Sequence, residues 1–174
     1  MMRHATPTDV REEQPMKQIH EEWRYEGATL EQVYDMLSDA AFREQVCEAQ
    51  HVVRHDVTTE RDGDRLKVTV DQVQSAAGLP GFARKFVGEE INIVAREDWL
   101  SPAKGDIEVV IPGKPGEMTG TAHLTEDPQG VTETVNLAVR VNIPLVGGKV
   151  EGLIADMLVK ALRTEARVGA SYLA

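Results

Sequence analysis

Gly130 to Val168 read GVTETVNLAVRVNIPLVGGKVEGLIADMLVKALRTEARV, and the change of period inside this stretch decides the fold. In its first part Val131, Val135, Leu137, Val139, Val141 and Ile143 alternate with Thr132, Thr134, Asn136, Ala138, Arg140 and Asn142, the pattern of a strand with one face buried and the other wet. Pro144 ends that strand. From Val146 the apolar residues return three and four apart, at Val150, Leu153, Ile154, Met157, Leu158, Ala161, Leu162 and Val168. This spacing predicts a long amphipathic helix, and its apolar stripe needs a sheet to lie against.

Upstream, four more stretches keep a period of two: Leu66, Val68 and Val70; Ile91, Ile93 and Ala95; Ile107, Val109 and Ile111; Gly120, Ala122 and Leu124. Gly or Pro punctuates the turns, and Asp62-Gly63 marks a tight hairpin after a strand opened by Val53 and Val57. Earlier still, Thr29 and Gln32 have the form of a capping box ahead of Leu30, Val33, Tyr34 and Leu37. After a break at Ser38-Asp39, Phe42, Val46 and Cys47 continue at helical spacing to about Gln50. Ile19, Trp23 and Tyr25 alternate with His20, Glu22 and Arg24 in a first strand. The predicted class is therefore α+β: a curved antiparallel sheet of about seven strands around a long C-terminal helix, with two short helices after strand one.

The 174 residues suit one domain, running from Met16 to Ala174. Residues 1 to 15 carry charges and prolines but almost no large apolar side chain, so they read as a disordered tail. Met16 begins the patterned part and is a second candidate start. With 19 Lys and Arg against 29 Asp and Glu the net charge is −10, which repels phosphate backbones, so no nucleic acid partner is expected. The single cysteine, Cys47, makes no intramolecular disulfide and fits a reducing compartment, so the expected location is the cytoplasm. No apolar run approaches the roughly 20 residues of a membrane helix, and no signal-peptide core is visible, so no stable membrane insertion is expected.

Candidate chemistry is sparse. His51 and His55 have metal-ligand spacing only if they share a helix. The strand pattern around them puts them about 13 Å apart. No HExxH or cysteine pair is present, and neither a metal nor a cofactor is expected. Gly147-Gly148 precedes a helix, where free amides attract anions, but no phosphate-loop motif surrounds it. The reading favoured is that glycine lets the helix start close against the sheet. Cys47 sits on an apolar helix side and reads as core. Glu21-Glu22 and Glu89-Glu90 read as solvated charge. No catalytic residue is assigned.

The segments Leu79-Pro80-Gly81-Phe82-Ala83-Arg84-Lys85-Phe86-Val87-Gly88 and Ile143-Pro144-Leu145-Val146-Gly147-Gly148-Lys149-Val150-Glu151 are similar to those of an actinobacterial family of unknown function, DUF2505. The order of elements resembles the START-like and Bet v 1-like (SRPBCC) helix-grip superfamily, whose plan is β, α, α, several β, then a long α. That resemblance implies a cavity between sheet and terminal helix, which in many relatives holds a lipid, sterol or polyketide-like molecule. The expected partner is thus a hydrophobic small molecule. The expected lining is Leu66, Val68, Val70, Ile91, Ile93, Ile107, Val109, Val135, Leu137, Val139, Met157 and Leu158, with Gln72 as a pocket-facing polar group and Trp23 and Trp99 nearby. Leu79, Phe82 and Phe86 share a helical face and form a possible lid. Two alternatives stand beside binding: a cyclase or dehydratase using His123, Arg140 or Tyr25 to move protons, and a non-catalytic interaction module.

Overall fold

A computed structural model describes residues 16–174; the tail expected at 1–15 lies outside the described residues. The elements are β1 (Lys17–Glu26), α1 (Leu30–Ser38), α2 (Ala40–Ala49), β2 (Arg54–Asp62), β3 (Arg65–Ser75), α3 (Gly81–Val87), β4 (Glu90–Ser101), β5 (Lys104–Val110), β6 (Glu117–Asp127), β7 (Gly130–Arg140) and α4 (Gly147–Leu173). All seven strands form one antiparallel sheet in the order β1-β7-β6-β5-β4-β3-β2. The sheet is thus a meander from β2 to β7, with β1 added beside β7.

Local chemistry explains where the helices begin. The capping box is formed: Gln32 N–H donates to Thr29 Oγ1 at 3.2 Å, and Thr29 N–H to Gln32 Oε1 at 2.9 Å. Asp39 ends α1 and caps α2, accepting from Ala41 N–H at 2.9 Å. Gly63, with φ of 60°, takes the left-handed position that closes the β2–β3 hairpin.

Two boundaries differ from the sequence pattern. The last strand stops at Arg140 rather than at Ile143, because Val141 N–H leaves the sheet and donates to Glu151 Oε1 of α4 at 2.8 Å. This buried carboxylate ties the strand's end to the helix's first turns. Gly147 sits in the same corner, where a Cβ would stand 2.6 Å from the Val141 carbonyl oxygen, so close approach is what glycine provides there. At the other boundary β2 begins at Arg54 rather than near Val53, and His51 lies in a turn with φ of 55°. Its separation from His55 therefore comes from a turn followed by a strand.

The concave face carries the core. Trp99, Leu66, Val68, Val131, Val135 and Val139 are fully buried on the sheet, and Val33, Tyr34, Met36, Leu37 and Phe42 meet them from α1 and α2. Helix α4 packs closely on β1, β7, α1 and α2 and comes less near to β3–β6. Its C-terminal half is fastened by Arg163 to Glu21 at 3.2 Å, by Tyr172 to Asp39, and by Gly169, whose Cα face receives the Tyr25 hydroxyl.

Candidate functional site

The weak approach of α4 to β3–β6 leaves an apolar cleft. Leu153, Ile154, Met157, Leu158 and Leu162 on the helix, and Val70, Ile93, Ala95 and Ile107 on the sheet, stay only half-buried, unusual for large apolar side chains between two packed layers. At one point the cleft closes into a pocket of about 30 Å³ walled by Ile91, Ile93, Val109, Ile111, Met118, Ile154, Met157 and Leu158. As it stands this volume accommodates about one water, so any organic ligand must part α4 from the sheet.

Five of the expected lining residues, Ile91, Ile93, Val109, Met157 and Leu158, meet around this pocket. Val70 and Ile107 are half-buried beside it, whereas Leu66, Val68, Val135, Leu137 and Val139 are packed within the core. Gln72 is half-buried and faces α2, with the Cys47 thiol 3.6 Å from its Oε1. Phe82 and Phe86 lie in α3 and Leu79 just before it: Ala83 is buried, Leu79 and Phe82 are half-buried, and Phe86 is exposed. The β3–β4 connection that contains α3, the β5–β6 connection and the β7–α4 connection all lie at one end of the antiparallel sheet. His123 and Arg140 alternate with buried neighbours and so point to the outer face, while Tyr25 points inward and is 3 % exposed. Burial holds the Cys47 thiol up at about 11, leaving it a protonated core group. The largest concavity, about 620 Å³, is on the outer face among Lys67, Thr69, Arg96, Asp98 and Glu108. Lys67, Arg96 and Glu108 there are exposed at the sheet surface, while Asp98 is half-buried with its Oδ1 unpartnered.

That buried chemistry lies toward the far end of the cleft, and the sequence reading missed it. Arg43 of α2 is 4 % exposed. Its Nη1 and Nη2 donate to the two oxygens of Glu97 at 2.8 and 2.9 Å, and its Nε donates to the Leu37 carbonyl at 3.0 Å. Trp99 Nε1 donates to Glu97 Oε2 at 2.8 Å. Glu165 of α4 approaches Arg43 Nη1 at 3.7 Å. Glu133 of β7, 3 % exposed, lies between Trp23 and Leu124 in register, and its Oε2 has no hydrogen-bond partner. Trp23 Nε1 donates to the Tyr25 hydroxyl at 2.8 Å.

One guanidinium thus faces three carboxyl groups, and their environments separate them. Burial alone would raise Glu97, but the charge and hydrogen bonds of Arg43, with the Trp99 indole, hold it below the usual carboxylate range. Burial pushes Glu165 up to about 7 despite Arg43, and the charge of Glu97 adds to the rise. Glu133 is pushed well above the usual range by burial and then by the charges of Glu165 and Glu97. The cluster is therefore an Arg43–Glu97 ion pair flanked by Glu133, whose proton is held more tightly than usual, and by Glu165, which titrates at about 7. Burial and the same two acids also raise Tyr25, which stays a phenol. Among the described residues no group of three or more His, Cys, Asp or Glu is arranged to hold a metal ion, and no helix is long and apolar enough to cross a membrane.

Residues 22–173 match the family described as protein of unknown function (DUF2505). The chain belongs to DUF2505. Uncharacterized proteins of Mycobacterium tuberculosis (Rv0481c) and Mycobacterium bovis (Mb0491c) are 30 % identical to this DUF2505 chain over 112 residues. The match covers 61 % of this chain and 64 % of each relative. Among solved structures, the Zhui aromatase/cyclase from Streptomyces sp. R1128 superposes with a TM-score of 0.64 at 12 % identity, covering 91 % of this chain and 94 % of that one. Norcoclaurine synthase from Thalictrum flavum gives 0.59 at 13 % identity, covering 91 % and 87 %. At such identities the likeness is one of fold. This DUF2505 chain has the Bet v 1-like helix-grip architecture.

Proposed function

We propose that this DUF2505 protein binds an apolar or amphipathic small molecule between α4 and the β3–β6 half of the sheet. Its apolar body lies against Ile93, Val109, Met157 and Leu158, and its polar end reaches toward Arg43, Glu97, Glu165 and Glu133. The observation that carries the reading is the wholly apolar pocket between sheet and helix, set among half-buried large side chains that a fully packed core would cover. In this reading the β3–β4 connection, with Leu79, Phe82 and Phe86, serves as its lid.

The test is native mass spectrometry of the purified protein followed by organic extraction. A defined molecule near one per chain, lost when Met157→Trp fills the pocket, is the expected result. Because that substitution occupies space between half-buried side chains, the variant should keep its circular dichroism spectrum. A wild-type chain that stays empty and takes up no apolar fluorescent probe would overturn the reading.

A second reading, acid–base chemistry on the bound molecule, is favoured by one feature: Glu165 held at about 7 beside Arg43 is poised to give and take a proton near neutral pH. With His123 and Arg140 on the outer face, it rests on Glu165, Glu133 and Tyr25.

A further inference from the structure

The polar end of the cleft has an excess of acid that the protein itself does not neutralise. Arg43 is committed, with both terminal nitrogens on Glu97 and its Nε on a backbone carbonyl. The nearby Arg163 is taken by Glu21. Facing the cluster from β1 are Tyr25 and Trp23, which hydrogen-bond to each other. No second cation among the described residues reaches Glu133, whose Oε2 is buried and unpartnered. A buried carboxyl oxygen without a partner is rare in native proteins and marks a group whose partner comes from elsewhere. Glu97 and Glu165 each keep 16 % of their side-chain surface accessible, so the cluster is reached from their side.

We infer that the ligand's polar end is a protonated amine, received between Glu133 and Glu165. The inference rests on the cleft-binding reading above and adds the chemical class of the head group. An ammonium supplies N–H donors to both carboxyl groups, including the unpartnered Glu133 Oε2. A carboxylate or phosphate head would instead add negative charge to a pocket where Arg43 is already paired.

Octylamine, 1-octanol and octanoate share an apolar body and differ in the head, so calorimetric titration of the full chain with each separates the two ideas. The amine should bind about 10-fold or more tighter than the alcohol, the size of one charge-assisted hydrogen bond. Its binding near pH 7, where Glu165 is part-protonated, should release protons, seen as a dependence of the heat on the buffer's ionisation enthalpy. In Glu133→Gln the amine's advantage should vanish while octanol affinity is kept. Surface attraction of amines to an acidic protein does not mimic this, because the substitution removes one buried acid among 29 acidic residues. Equal binding of the three probes, a preference for octanoate, or an amine preference that survives Glu133→Gln overturns the amine head and leaves the cleft standing. Binding of none of them overturns both.

Discussion

An Arg43→Met variant should melt about 10 °C or more below the wild type at pH 8, because breaking a buried ion pair from one side costs about 3–5 kcal/mol and each kcal/mol moves a domain of this size by roughly 2–4 °C. The loss comes from what is left behind. Glu97 keeps one donor, the Trp99 indole, and its carboxylate is otherwise stranded between α2, α4 and the sheet. The pH dependence gives a second readout. In the wild type Glu97 lies below its unfolded value, so it contributes stability that is present above that value and lost as pH falls through the folded one. Without Arg43 burial dominates and the sign reverses, so the deficit should shrink between pH 8 and about 4.5. An Arg43→Met/Glu97→Leu double variant should recover most of the loss, since removing both partners leaves no uncompensated charge. Thermal melts of the single and double variants at both pH values check this, and an exposed pair would move the melting point by only a few degrees.

Glu133→Gln should act in the opposite direction, raising stability at pH 8. The unfolded chain ionises Glu133 near 4.5, whereas the folded chain keeps it protonated to a much higher pH. The native state therefore gains from this group below the unfolded value, and the gain is lost progressively as pH rises through the folded one. Glutamine is neutral throughout and nearly isosteric, so it removes this penalty. Its advantage should disappear near pH 4.5, where the acid is neutral in both states. Glu165, held at about 7, adds a decline of the same sign between about 4.5 and 7, and this part should survive in the variant. Urea unfolding across pH 4.5 to 8.5 measures both, and identical profiles for wild type and variant would show that Glu133 is already neutralised by a partner.

The fold was readable because its signals are local. Period two gives way to period three and four at Pro144, a capping box opens α1, and Gly63 closes the β2–β3 hairpin. The charged cluster left signals of the same kind, but each was a single exception inside a regular pattern. Glu133 occupies the apolar register between Val131 and Val135, Glu97 that between Ala95 and Trp99, and Arg43 is on the side of α2 that carries Phe42, Val46 and Cys47. Glu165 falls four residues after Ala161 on the stripe of α4. A charge in an apolar row is a buried charge or a break in the row, and only the partner decides between them. The partner of Arg43 is 54 residues away, on a strand whose register follows from the whole meander. The alternation along β6 and β7 was equally visible, and it sets His123 and Arg140 opposite to Ala122, Leu124 and Val139 rather than with them. The cleft itself depends on how far α4 stands from β3–β6, a distance that no periodicity encodes.

Helix α4 resembles a beam supported at both ends. Glu151 and Gly147 pin its start to the strand end at Val141, while Gly169, Arg163 and Tyr172 fix its far end to β1 and the short helices. A beam so held does not swing on a hinge, and lifting it would break buried contacts at one support or the other. Parting α4 from the sheet, which a pocket of about 30 Å³ demands of any organic ligand, therefore sacrifices buried contacts at one support or the other.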